Sequence, residues 1–207
     1  VIDAANNQPI KTITVGHRLS DILYNDEEDK LYCASTDTLL TVIDCATDSV
    51  VARVPVGLGF SDLCYNPGMN RIYCSHNQSD EVTVIDCATD TVVATIWVRG
   101  VEPTDICYDS ASNCVYTANS VSNSVSVIDV AARTVIDSIP VGLGPFGIAV
   151  SSDGARLYVS DNQNRVSVVN AVMRQSIGSI PVGSHPQGVA LTPDDKYLFV
   201  ANQFSDT

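Results

Sequence analysis

The chain has 207 residues, 45% of them hydrophobic, and its 24 Asp and Glu against 11 Lys and Arg leave a formal net charge of -13. That charge repels phosphate backbones and anionic lipid, and the basic residues stand singly from Lys11 to Lys196 with no stripe to track a strand, so nucleic acid is not an expected partner. No run of 18 apolar residues is present, which excludes a helical membrane span.

The string Val-Ile-Asp stands at Val1 to Asp3, Val42 to Asp44, Val84 to Asp86 and Val127 to Asp129, with a degenerate copy at Val168-Val169-Asn170. The steps between copies are 41, 42, 43 and 41 residues. Gly16, Gly57, Gly100, Gly142 and Gly183 keep the same beat, as do Tyr32, Tyr73, Tyr116, Tyr158 and Phe199. Three registers in agreement identify a tandem array, and a period near forty residues restricts the fold to repeat architectures.

In chain order, the sequence opens on the third strand of a unit at Val1 and stops after the second strand of another at Phe199 to Ala201. The best-formed unit begins with a loop over 142–147 and a short apolar strand over 148–150. An Asp-Gly turn over 151–154 leads to a strand over 156–159, and a turn over 161–164 to an alternating strand over 166–169. A turn over 170–174 leads to a fourth strand over 176–182, with Pro181 near its end, where a missing N–H is tolerated. No segment carries helical periodicity. Each repeat reads as four antiparallel strands, and such a sheet leaves two apolar faces that only like neighbours can cover. The expected fold is therefore all-β: a β-propeller of four-stranded antiparallel blades built from five repeats of about 41–43 residues.

The units PVGLGPFGIAVSSDGARLYVSDNQNRVSVVN and PVGSHPQGVALTPDDKYLFVANQ resemble the YVTN-type β-propeller repeat family. LYVSD, LFVAN and VYTAN stand where that family has its name-giving tetrapeptide. The resemblance spans essentially the whole chain and implies a propeller in an exported or surface protein, extracellular, at the cell surface or periplasmic. Residues 1–207 read as a single propeller domain or as a five-repeat segment of a larger one. In the first arrangement the N-terminal and C-terminal strands share a composite blade, which the whole number of repeats favours. In the second the ring continues, as the usual seven blades of the resembling family would have it.

Seven cysteines fall largely in repeat columns, so equivalent ones lie a whole unit apart and beyond disulfide reach. They read as small buried hydrophobes, with Cys64 and Cys74, on the two arms of one hairpin, the pair to test for a bridge.

The residue before each first strand forms a column, Asp21, Asp62, Asp105, Gly147 and Gly188. Three acids at a channel mouth form a candidate oxygen-ligand site for a divalent cation such as calcium; the alternative is that each Asp caps its own loop. The stretch 142–147 satisfies GxGxxG but precedes a strand, so a dinucleotide reading fails. Asp44 with Asp48, and Asp86 with Asp90, read as residues that satisfy their own turns. The acidic run Asp26 to Asp29 reads as a solvated hairpin tip, and Asn77-Gln78-Ser79 fits a glycosylation sequon. His17, His76 and His185 lack a partnered Ser or acid at a fixed motif, so no catalytic residues are assigned, although His17 and His185 could share a metal if ring closure made their blades adjacent. Phe60, Trp97, Phe146 and Arg18 are the candidate partner-binding residues, being departures from the repeat near its loops.

Two functions fit. One is a non-enzymatic scaffold or binding module that presents loops to a protein, glycan or surface. The other is a metal-dependent, lactonase-like hydrolase, or the propeller subunit of an oxidoreductase with a cation at the channel mouth, and it rests on fold analogy alone.

Overall fold

A computed structural model describes residues 1–35 and 38–205, apart from the side chain of Phe60. It is all-β. Strands β1 (Ile2–Asp3) and β2 (Gln8–Pro9) form a short hairpin. The first complete blade is β3 (Leu19–Asn25), β4 (Lys30–Ser35), β5 (Leu39–Asp44) and β6 (Ser49–Pro55). The second is β7 (Phe60–Asn66), β8 (Arg71–His76), β9 (Glu81–Asp86) and β10 (Thr91–Trp97). The third is β11 (Pro103–Asp109), β12 (Cys114–Asn119), β13 (Ser124–Asp129) and β14 (Thr134–Pro140). The fourth is β15 (Pro145–Val150), β16 (Arg156–Asp161), β17 (Arg165–Asn170) and β18 (Gln175–Pro181). A second hairpin, β19 (Pro186–Leu191) and β20 (Leu198–Asn202), follows.

Within each blade the strands pair in chain order, and the first strands β3, β7, β11, β15 and β19 pack one on the next along the inside of an arc. The expected strands are all present. The first one is longer than its apolar run, because residues 145–147 of the expected loop join β15 through an irregular register. Among the described residues one 3-10 turn, over Pro67–Met69, replaces a hairpin turn, and the Asn66 side chain accepts its Met69 N–H at 3.3 Å.

The middle strands are buried on both faces, as β8, β12 and β13 show, because a neighbouring blade lies on either side. The aromatic column fills those interfaces. Tyr32 of the first blade packs with Leu63, Ile72 and Cys74 of the second, and Tyr73 of the second with Ile106 and Val115 of the third. The Tyr32 hydroxyl donates to Asp90 Oδ1 at 2.8 Å, while Lys30 Nζ donates to Asp90 Oδ2 at 2.9 Å. Asp90 thus pins two blades together instead of satisfying its own turn, as was expected of it. The column glycine has an equally local reason. A Cβ on Gly142 would overlap the Asp161 carboxylate, and one on Gly100 the Asn119 amide, so the last residue of these second strands lies where the glycine leaves room.

All seven cysteines are free. Cys64 stands opposite Tyr73, and Cys74 opposite Leu63, so the two thiols project from opposite faces of one sheet and cannot bridge. Cys74 lies in the interface with the first blade and Cys64 in that with the third.

The composite blade is not formed, because β1–β2 and β19–β20 are separate two-stranded sheets. The arc of inner strands carries β19 onto β15, and among the described residues β19 does not pair with β1 or β3. Its two ends are correspondingly uncovered. Ile22 is 59% and Tyr24 52% exposed, where their repeat equivalent Leu63 is 6% exposed and Tyr65 half-buried. Phe199 is 65% exposed, whereas Tyr32, Tyr73 and Tyr116 of its column are buried.

The Asp90 latch makes a comparison within the repeat possible. Asp48 and Asp90 occupy equivalent left-handed turn positions, with φ of 50 and 52, so the backbone effect of alanine cancels between them. Asp90→Ala is expected to lower stability in urea unfolding by about 1–3 kcal/mol more than Asp48→Ala, since only the former removes the carboxylate to which Lys30 and Tyr32 donate, leaving them the Cys87 carbonyl.

Candidate functional site at the loop face

Each first strand begins with a slip in register: between Leu19 and Asp21, Phe60 and Leu63, Pro103 and Asp105, Pro145 and Ile148, and Pro186 and Val189. A bulge of this kind re-aims a side chain out of its own ladder. The Asp column stands at it, and its carboxylates reach across blades. Asp21 Oδ2 accepts the Leu63 N–H at 3.1 Å, Asp62 Oδ2 the Ile106 N–H at 3.4 Å, and Asp105 Oδ2 the Ile148 N–H at 2.8 Å. Each Asp therefore caps the next blade, where the capping alternative had it cap its own loop; Asp105 does both, its Oδ1 taking the Ile106 N–H at 2.7 Å, and Asp21 also accepts from Ile22 of its own strand. At Gly147 the column changes because a Cβ there would strike the Gln187 carbonyl. Ser160 makes that link, accepting from the Gly147 N–H at 2.8 Å and donating to Gln187 O at 2.6 Å.

A second column steadies the loops leading into the blades. Asp80, Asn123 and Asn164, all at positive φ in the hairpin after the second strand, accept the N–H groups of Glu102, Gly144 and His185 at 2.9, 2.8 and 3.0 Å. Short polar side chains tolerate that backbone region, so the same residues make the turn and hold the loop.

Where the inner strands converge at this face lies a cavity of about 420 Å³, walled by Ser20, Ser61, Asp62, Asn77, Asp105 and Phe146 among others. Its lining comes from all five repeats and includes no Lys or Arg. Ser61 Oγ and Asn77 Oδ1 are shielded from solvent and have no hydrogen-bond partner among the described residues. Burial, with the neighbouring Asp62 carboxylate, pushes Asp21 up to about 6. Burial raises Asp62 further above the usual carboxylate range, helped by a shared hydrogen bond and charge repulsion with Asp105.

Among the described residues no group of three or more His, Cys, Asp or Glu is arranged to hold a metal ion. The carboxylates of Asp21, Asp62 and Asp105 are directed at backbone N–H groups instead. Burial pushes the Cys64, Cys74 and Cys107 thiols well up, away from nucleophilic thiolates. His76 is buried and lowered to about 4 by that burial, its Nε2 at 2.9 Å from Thr83 Oγ1. His185 stacks on Phe204, and among the described residues neither it nor His17 belongs to a group of three or more metal-ligating side chains.

Of the candidate partner-binding residues, Phe146 lines the cavity and is 39% exposed. Trp97 lies on the outer rim, and Arg18 is exposed on the loop before β3, outside the cavity wall. The Phe60 side chain falls outside the described residues. Sequence reasoning missed Ser20, Ser61 and Thr104, although they form a hydroxyl column immediately before the Asp column. Thr104 Oγ1 donates to the Phe146 carbonyl at 2.9 Å and so helps set that ring's place.

Residues 112–190 match the family model described as YNCE-like beta-propeller. No curated protein matches the sequence. Among solved structures, the chain is similar to hydrazine synthase of Kuenenia stuttgartiensis, with a TM-score of 0.82 and 24% identity over 93% of this chain and 58% of that one. It is also similar to the Cps50 (Swd1) β-propeller domain of Myceliophteria thermophila, with a TM-score of 0.81 and 14% identity over 94% of this chain and 65% of that one. At these identities the likeness is one of fold, and the chain spans less than two thirds of either relative.

The Asp ladder gives stability a pH dependence whose sign is set by raised carboxyl pKa values. Folded protein binds the Asp21 proton more tightly than unfolded chain, so this contribution is full below about pH 4 and is lost as pH rises through about 6. Asp62→Asn keeps an oxygen acceptor for the Ile106 N–H while removing the buried charge. Thermal melts are expected to show this variant about 2–4 °C more stable than the parent at pH 8 and level with it at pH 4.

Proposed function

We propose that the chain is a binding module without catalytic activity, whose loop-face cavity receives the cationic tip of a protein partner, a Lys or Arg side chain carried on a surface segment. The observation that carries this reading is the lining itself. Two carboxyl groups, Asp62 and Asp105, stand beside the unpartnered Ser61 Oγ and Asn77 Oδ1 and the half-exposed ring of Phe146, with no basic residue in the wall. Such a wall offers acceptors and an aromatic face, which are what an ammonium or guanidinium group needs on leaving water. The cavity wall holds no Cys or His, and its Ser61 hydroxyl has no hydrogen-bonded base among the described residues, so the binding reading is preferred to the hydrolytic one. An exported or surface setting, carried by the resemblance to YVTN-type repeats, accompanies this proposal.

The test is an NMR titration with a capped Gly-Lys-Gly peptide and its Gly-Glu-Gly counterpart. Saturable shifts are expected at Ser61, Asn77, Asp105 and Phe146 with the Lys peptide alone, tighter at pH 8 than at pH 5 because burial raises the pKa of Asp62, which must ionise. Asp105→Asn is expected to weaken binding about tenfold. An equal response to the Glu peptide, or shifts scattered over the rim, would overturn the proposal.

A further inference from the structure

One strand end departs from the repeat twice. Fourth strands close on Pro55, Pro140 and Pro181, each followed by Val and the column Gly. β10 instead closes on Trp97, and Arg99 is inserted between Val98 and Gly100. Both residues line a groove of about 300 Å³ on the outer rim, with Thr95 on β10 and, facing it, Arg133 in the turn before β14 and Thr134 at the start of β14. Trp97 is 65% exposed.

The repeat supplies its own comparison for the charges. Arg133, with a φ of 55, holds the left-handed turn position that Asp48 and Asp90 hold in the first two blades, so an acid has become a base. In the next groove along, the equivalent Arg174 pairs with Asp137 at 3.7 Å. The position of Asp137 is Ala94 on β10. Arg133 therefore lacks the carboxylate that its counterpart has, and its Nη1 donates to the Val93 carbonyl at 3.3 Å. Arg99 is exposed and makes no ion pair or side-chain hydrogen bond with a described residue. On a chain with a net charge of -13, two guanidinium groups short of acids beside an exposed indole form an anion-seeking patch.

We propose that this groove binds a hexuronate unit of an acidic saccharide. The carboxylate replaces the missing Asp137 equivalent as partner to Arg99 and Arg133, the C–H face of the pyranose ring rests on Trp97, and the Thr95 and Thr134 hydroxyls meet the sugar hydroxyls. A single sugar ring suits the groove better than an acidic peptide does, because the volume is at the lower limit of ligand sites and the wall offers one flat aromatic surface with hydroxyls and no side-chain pockets. None of these residues lines the loop-face cavity, so the two sites stand or fall separately.

Trp97 is the single tryptophan of the chain, so its fluorescence and its indole N–H resonance both report on this groove. Titration with trigalacturonate at low salt is expected to change both saturably. Neutral trigalactose and Arg133→Gln are each expected to bind or respond about tenfold more weakly, and added salt to weaken the acidic sugar. Arg174→Gln, whose native partner is Asp137, should leave the titration unchanged. Absence of a saturable change in both signals, equal affinity for the neutral sugar, or preference for a hexaglutamate peptide over trigalacturonate would overturn the assignment.

Discussion

Every blade of this protein is a sheet with two apolar faces and no means of covering either, and the rest of the structure follows from how neighbours cover them. Face-to-face packing around Tyr32, Tyr73 and Tyr116 removes the apolar area from water. Polar links then fix the blades at both ends of that packing. At the loop face they are the carboxylate-to-amide bonds of Asp21, Asp62 and Asp105; at the opposite end of the first interface they are the bonds that Lys30 and Tyr32 make to Asp90. Because each link runs from one blade to the next, the inner strands are held close enough to enclose a cavity while the bulges keep their mouths open.

The two ends of the interface use acid differently. Asp90 is matched by a cation and a phenol, so its charge is compensated where it is buried. The loop-face ladder holds three carboxyls in succession with no cation among the residues of the cavity wall, and their burial raises the proton affinity of Asp21 and Asp62. Retaining acids at such a place costs stability at neutral pH, yet it leaves a surface complementary to positive charge. The rim groove is the reverse case, with Arg99 inserted where other blades have no residue and Arg133 set where the first two blades have Asp48 and Asp90.

Periodicity made the architecture legible, because Val-Ile-Asp, the glycines and the aromatics each report a position that every blade must fill in the same way. The site was only half legible. The Asp column announced itself, but the direction of its bonds did not, since the target amides of Leu63, Ile106 and Ile148 come from the following repeat and are reached only through a bulge that no residue type marks. The hydroxyl column Ser20, Ser61 and Thr104 was visible in register and was overlooked because Ser and Thr are common before a strand. Whether the first and last strands met could not be read from repeat arithmetic, as the curvature of stacked sheets is a sum of small rotations that no single repeat encodes. Trp97 stood out as a departure from Pro, but its value lies in Arg133, which is remote in sequence and comes beside it only when β14 packs next to β10.

Hydrogen exchange at single amides tests the central claim, that each blade is held by its predecessor, most directly. In Asp21→Ala protein the Leu63 amide, one blade onward, is predicted to lose far more protection than the Ile106 amide, which keeps Asp62 and Asp105 as acceptors. Protection at Leu63 unchanged by the substitution would contradict the account and make each blade a self-contained unit.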